Sequence, residues 1–283
     1  MPINVTIWNE FVHEQNILSV PGIIYPDGMH NAIKDGLSHD TELNIITATL
    51  DMPEHGLTQE VVDNTDVMLW WGHTAHGRVE DEIVNRVYTA VLKGMGIIIL
   101  HSGHASKIFT KLCGTSGALT WRECGENGRL WVTCPSHPIA AGIPAWVDIP
   151  CDECYGEYFD IPKPDDIVFT GWFKGGDVFR SGCTFTRGYG KMFYFQPGHE
   201  TYPVYKDPMI LKIIGNAIHW ANPTARREAI VFPHTVPREA DIHRALRPQD
   251  FGGEKHRHLG PFEYETTVTP KQLDGYFNPP KDN

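Results

Sequence analysis

The chain has 283 residues, 41% of them hydrophobic, which is enough to enclose one large core. Its 35 Asp and Glu against 24 Lys and Arg give a formal charge of -11, a balance that opposes phosphate neutralisation and adhesion to anionic lipid and so excludes nucleic acid and membrane surfaces as expected partners. Asn4, Asn9, Glu10, His13 and Glu14 interrupt the apolar residues of the N-terminus, and elsewhere the longest aliphatic run is Ile97 to Leu100. Neither a signal peptide nor a membrane span is therefore expected, and a cytoplasmic location is.

Taken in chain order, Val5-Thr6-Ile7-Trp8 reads as a first strand, followed by a helical pattern after His30 through Ile33 and Leu37. Asn44 to Thr49, Val67 to Trp71 and Gly96 to Leu100 are nearly all apolar, as strands covered on both faces should be. Between them fall a weak helix after Thr58 and a clear one over Glu80 to Lys93, where Ile83, Val84, Val87, Tyr88, Val91 and Leu92 recur at helical spacing before Gly94. Another helix follows His104, with Ile108 and Leu112. This alternation predicts βαβ units and a parallel sheet with helices on both faces. From about 113 to 190 the helical period fades, and short strands such as Ile167 to Trp172 and Gly182 to Thr186 are expected before a last helix over Asp207 to Trp220. Beyond Asn222 the chain becomes charged and Pro-rich, with His234, His243, His256 and His258. The expected organisation is a main domain over 1–222 and an extended C-terminal arm over 223–283, lying on its own domain or on a second subunit as the basis of a homo-oligomer. The six cysteines, Cys113, Cys124, Cys134, Cys151, Cys154 and Cys183, should be free thiols in a reducing compartment.

Seven of the 15 histidines, His13, His55, His73, His76, His101, His104 and His199, fall at or just beyond the ends of expected strands. In an open α/β sheet that is where ligands bind, and imidazole there suits metal ligation or proton transfer. Leu100-His101-Ser102-Gly103-His104 reads as a strand-turn-helix elbow. A hydrolase elbow needs glycines two residues either side of the serine, and Leu100 and His104 stand there. A glutaminase elbow needs a cysteine where His101 stands, so the thiol nucleophile is absent. His73-x-x-His76 and His101-x-x-His104 have a spacing that can place two imidazoles on one helical turn. Cys151-x-x-Cys154 has an acidic interior and no second pair, which argues against redox chemistry. Glu153, Tyr155 and Glu157 alternate onto one side of an extended segment, most simply as a solvated acidic face. Trp70 and Trp71, beside His73, are candidate faces for stacking on a sugar, although core burial accounts better for at least one of them.

These residues resemble the ThuA-like trehalose-utilisation proteins, which share the fold of class I glutamine amidotransferases. The resemblance spans about residues 3 to 222. It rests on Trp8-Asn9-Glu10-Phe11 with His13-Glu14, Tyr25-Pro26-Asp27-Gly28-Met29-His30, Trp70-Trp71-Gly72-His73, Gly94-Met95-Gly96 leading to His101-Ser102-Gly103-His104, Tyr155-Gly156-Glu157, and Phe195-Gln196-Pro197-Gly198-His199-Glu200. It implies a flavodoxin-like doubly wound α/β fold with a mainly parallel sheet. It also implies a role in carbohydrate metabolism beside a sugar dehydrogenase, with a keto-sugar or related glycoside as the small-molecule substrate. Positions matching the family's polar motifs are His30, His101, Glu153 and His199, with His73, His104, Glu157 and Glu200 close behind.

The expected function is then sugar processing in which His30, His101, His199 and a carboxylate, Glu153 or else Glu157, hold a divalent metal such as zinc. His101, His104, Glu153, Glu157 and Glu200 are the candidate catalytic groups, and Trp70, Trp71, His73 and Tyr155 would bind sugar. The alternatives are metal-free acid-base chemistry by the same residues and a non-enzymatic sugar-binding module, with glutamine amidotransfer last.

Overall fold

The computed structural model describes residues 2–229. Most of the expected C-terminal arm, 230–283, lies outside the described residues.

Each expected strand of the first half forms where it was read: β1 (Ile3–Asn9), β2 (Leu43–Thr49), β3 (Val67–Trp71) and β4 (Gly96–Leu100). β1 lies between β2 and β3 and β3 lies beside β4, all parallel. The helices between them are α1 (Val20–Ile24), α2 (Met29–Gly36), α3 (Gln59–Asn64), α4 (Asp81–Leu92) and α5 (Lys107–Cys113). Local chemistry sets their ends. Thr58 accepts from Val61 N–H to start α3 and Ser106 accepts from Phe109 N–H to start α5, while Gly94 takes φ +125 just after α4, a conformation that side chains disfavour.

The second half adds β5 (Thr120–Val132), β6 (Trp146–Gly156), β7 (Asp166–Phe173) and β8 (Val178–Arg187), then β9 (Gly190–Phe195) and α6 (Pro208–Ala221). The sheet has nine strands in the order β2-β1-β3-β4-β9-β8-β7-β5-β6. β9 is parallel to β4, and β8, β7, β5 and β6 extend the sheet antiparallel. The parallel half is thus the doubly wound core, and the antiparallel ribbon lies where helical periodicity fades.

Both faces of the parallel half are covered. Ile97 and Ile99 of β4 pack with Ile83, Val87 and Val91 of α4 and with Ile108 of α5. Ile98 and Leu100 pack on the other face with Ile33 of α2 and with Ile210, Ile213 and Ala217 of α6. Every residue of β3 and β4 is buried. β2 departs from the expectation of burial on both faces, because it is the sheet edge and its residues alternate, with Ile46 44% exposed. All six cysteines are free thiols. Among the described residues no helix is long and apolar enough to cross a membrane.

Candidate active site

Parallel strands deliver their carboxyl ends to one edge, and β1 is the point where strand order reverses between β2 and β3. The loops after β1, β3, β4 and β9 carry Glu10 and His13, His73 and His76, His101 and His104, and His199 and Glu200 respectively. The end of β6 reaches the same place with Asp152, Glu153 and Tyr155.

His101 sits at the sharp turn after β4 with φ +47, a conformation costly for a residue with a side chain, and its ring is fully buried. Its Nδ1 lies 2.6 Å from the Gln196 carbonyl oxygen and therefore carries a proton. Nε2 then faces Glu153 Oε2 at 3.1 Å and the Tyr155 hydroxyl at 3.2 Å. Burial disfavours the charged imidazole, but the Glu153 and Asp152 carboxylates outweigh it and raise its pKa. Glu153 is held below the usual carboxylate range, because His101 overcomes its desolvation.

His199 turns its Nε2 to within 3.9 Å of Glu153 Oε2 and 3.6 Å of Glu200 Oε2. Burial, then the neighbouring His101, pushes its pKa down to about 3, so it is a neutral ring with a lone pair to offer. The turn before it is built for this placement. Buried Asp152 accepts from the Gly198 and His199 amides at 3.1 Å each, and burial pushes its carboxyl up to about 6. Gly198 has φ +136, its carbonyl takes the Trp71 indole N–H at 3.1 Å, and a Cβ there would lie 2.0 Å from the Tyr205 hydroxyl oxygen. Gly198→Ala should therefore cost about 1–3 kcal/mol of stability in urea unfolding. An unchanged midpoint would mean that the turn relaxes freely.

Beside this group lies a second one. His13 Nε2 and His73 Nδ1 are 3.0 Å apart, and Glu200 Oε1 is 3.7 Å from the first and 3.6 Å from the second. Glu10, buried, accepts the amides of His73, Thr74 and Ala75 at 2.7, 3.0 and 3.0 Å and so fixes the loop that carries His73. Both groups border a cleft of about 370 Å³ lined by His73, His104, Trp121, Glu153, Tyr155 and His199, among others.

Of the expected metal ligands, His101, Glu153 and His199 converge and His30 does not. Its Nδ1 faces the Asn9 amide at 3.1 Å, an amide that also donates to Glu14, and its Nε2 faces Asn31 at 3.3 Å. It braces the loop after β1 instead. Trp70 and Trp71 are 1% exposed, Trp70 stacked on Trp8 at 4.0 Å, so neither can meet a sugar. Glu157 pairs through both oxygens with Arg180 at 2.8 Å and is spent on that contact, outside the cleft. His104 lines the cleft with its Nδ1 donating to the Gly117 carbonyl at 2.7 Å. His55 accepts the Glu80 amide and holds the Leu50 carbonyl, away from the cluster. Neither i, i+3 pair forms a joint site, because the short turns present the two rings to different partners: His101 meets His199 and His73 meets His13.

Sequence reasoning passed over four groups. His13 was visible as a strand-end histidine and Glu10 as a neighbour in its motif, but neither was assigned a role. Asp152 was hidden inside the Cys-x-x-Cys segment, and Trp121, 66% exposed at the cleft, lies on β5, which carried no clear strand signal.

Burial lowers the pKa of both His30 and His104 to about 4 from 6.5. A folded imidazole kept neutral this way leaves stability undiminished above pH 6.5 and removes it progressively as pH falls toward 4, by up to about 3 kcal/mol each. Urea unfolding at pH 7.5 and at pH 5 should show that loss, shallower in His30→Gln. Equal slopes for the two proteins would contradict it.

A family model described as ThuA, trehalose utilisation, matches residues 4–221, all of the sheet but its first residue, Ile3, together with its helices. The chain belongs to the ThuA family. Among solved structures it is similar to a ThuA-like protein of Parabacteroides merdae ATCC 43184 at 15% identity and a TM-score of 0.59, covering 80% of this chain and 93% of that one. A ThuA-like protein of Bacteroides uniformis ATCC 8492 is similar at 14% identity and TM-score 0.55, with coverage of 78% and 91%. A cytoplasmic protein of Salmonella typhimurium is similar at 11% identity and TM-score 0.53, with coverage of 78% and 99%. At these identities the likeness concerns the fold. No curated protein matches the sequence. The ThuA region contains every residue of both side-chain groups, from His13 to Glu200.

Proposed function

We propose that this ThuA-family protein is an enzyme of disaccharide utilisation acting on a keto-sugar or related glycoside. In this reading a divalent cation, zinc by its donor set, is held by His101 Nε2, Glu153 Oε2 and His199 Nε2. One observation carries the reading: these three buried atoms, brought from three distant stretches of chain, lie within 4.8 Å of one another at a cleft. Ligands about 2.0–2.1 Å from a tetrahedral zinc lie roughly 3.3 Å apart, and the separations of 3.1 and 3.9 Å fit a cation between them after small adjustment. Two imidazoles and a carboxylate leave one position open, as catalytic zinc requires.

Bound there, the cation would supply a Lewis acid for a sugar carbonyl. The protein's own groups do the rest. Asp152 fixes the turn that aims His199, and the Gln196 carbonyl fixes the tautomer of His101. His104, neutral at pH 7 and with its Nδ1–H committed to Gly117, keeps the Nε2 lone pair to accept a hydrogen bond from a substrate hydroxyl, burial having made the ring too weak a base to hold a proton. Trp121 replaces the two buried tryptophans as the stacking face for a sugar ring. Trp121→Ala should raise KM by up to about tenfold with kcat little changed. A fall in kcat alone, at constant KM, would remove Trp121 from binding.

The 3.1 Å contact between His101 and Glu153, with the imidazole pKa raised, supports a second reading in which the pair works as a metal-free acid and base. Elemental analysis of protein purified without an affinity tag, followed by turnover of a keto-disaccharide with and without chelator, decides between them. Metal present and activity lost on chelation supports the first reading, and activity indifferent to chelation supports the second. A disaccharide that binds but is never transformed would make the protein a sugar-binding module. The free cysteines and the absence of a membrane-length helix among the described residues support a cytoplasmic location. Partnership with a sugar dehydrogenase and self-association through residues 223–283 belong to the same proposal.

A further inference from the structure

The zinc ligands leave part of the cleft's chemistry unused. Four buried carboxylates, Glu10, Asp152, Glu153 and Glu200, are gathered there, and no Lys or Arg is buried among the described residues. Within 4.0 Å, the oppositely chargeable neighbours of Glu10, Glu153 and Glu200 are imidazoles alone. Buried carboxylate is costly without a compensating charge or a full set of donors. Glu10 has three amide donors, but Glu200 Oε2 is buried and has no hydrogen-bond partner.

Glu200 also faces two ways. Its Oε1 looks toward His13 Nε2 and His73 Nδ1, and its Oε2 toward His199 Nε2. The three atoms of the His13 group are separated by 3.0, 3.6 and 3.7 Å, close to the roughly 3.3 Å between ligands of a tetrahedral zinc. His13 and His73 are 25% and 30% exposed, so the group can be reached from solvent, whereas Glu200 is 4% exposed.

We propose that His13, His73 and Glu200 form a second divalent-cation site, joined to the His101–Glu153–His199 site through the Glu200 carboxylate as a bridging ligand. Glu200 would then take the fourth position of the first ion, and the position open to substrate would lie at the second, which has three protein ligands. The inference rests on the zinc reading of the first site. Glu10 is the positioning residue, because it accepts the backbone amides that set the His73 loop. A carboxylate-bridged pair suits a substrate presenting two adjacent oxygens, such as the carbonyl and neighbouring hydroxyl of a keto-sugar.

The test titrates chelator-treated, untagged full-chain protein with zinc chloride and counts the equivalents retained through gel filtration. Cobalt(II) loading and electron paramagnetic resonance of the wild type then report whether the two ions are magnetically coupled. The expected result is two equivalents in wild type, one in His13→Ala and in His73→Ala, and a coupled signal that Glu200→Gln abolishes. One equivalent in wild type, kept by His13→Ala and lost by His101→Ala, would overturn the second site and leave the first intact. Two equivalents that both survive in His13→Ala and His73→Ala, or cobalt ions without coupling, would also overturn it. No retained zinc at all would overturn both sites.

Discussion

Alanine in place of His199 should lower kcat/KM toward a keto-disaccharide by about 10²–10⁴-fold, because a Lewis acid that loses a ligand forfeits several kcal/mol of transition-state stabilisation. The loss should fall mainly on kcat and be matched by a loss of bound metal. Folding should survive, since the ring is a neutral partner at the cleft and its only close hydrogen-bond neighbour is Thr201, two residues away in its own loop. Steady-state kinetics with elemental analysis and circular dichroism make the measurement. Undiminished turnover in a folded, metal-free His199→Ala protein would remove the metal from the chemistry.

Glu10→Ala should cost about 3–6 kcal/mol of stability, far more than an ordinary surface change. The carboxylate is 1% exposed and is the acceptor for three consecutive amides, those of His73, Thr74 and Ala75. Its removal strands the amides of buried Ala75 and half-buried His73, while that of exposed Thr74 can turn to water, and burial of an unmet donor costs about 1–3 kcal/mol. Glu10→Gln, with one acceptor oxygen instead of two, should lose less. Urea unfolding compares the three proteins, and a change below about 1 kcal/mol for the alanine variant would mean that water replaces the carboxylate.

Why the parallel half could be read from sequence, and the ribbon could not, has a physical reason. β3 and β4 are buried on both faces, so they appear as unbroken apolar runs, and α4 shows its buried stripe through Ile83, Val87 and Val91. β5 is exposed over Thr120 to Cys124 and pairs with β6 across register shifts, so Trp121-Arg122-Glu123 carries no burial pattern to read. β2 looked like a core strand because Ile45 and Ile46 are apolar, although the edge position exposes one of them.

The site was legible by its histidines more than by its geometry. Strand-end placement brought His73, His101, His104 and His199 into consideration, and the fold does bring them to one cleft. Sequence spacing could not show that His30 spends both nitrogens on Asn9 and Asn31, nor that Glu157 turns to Arg180. His13 and Glu10 acquire meaning only once β1 and β3 lie side by side, because their partners are more than 59 residues away in the chain: His13 meets His73 at a separation of 60 and Glu10 meets the same loop at 63. Adjacent Asp152 and Glu153 take separate tasks, the first bracing the His199 turn and the second meeting His101.

Anomalous scattering at the zinc edge from crystals of untagged protein, grown without added metal or chelator, bears most directly on whether these side chains form a metal centre. The account predicts a peak within bonding distance of His101 Nε2, Glu153 Oε2 and His199 Nε2. Well-ordered rings at those three residues with no anomalous peak between them, in crystals that remain peakless after a zinc soak, would contradict it.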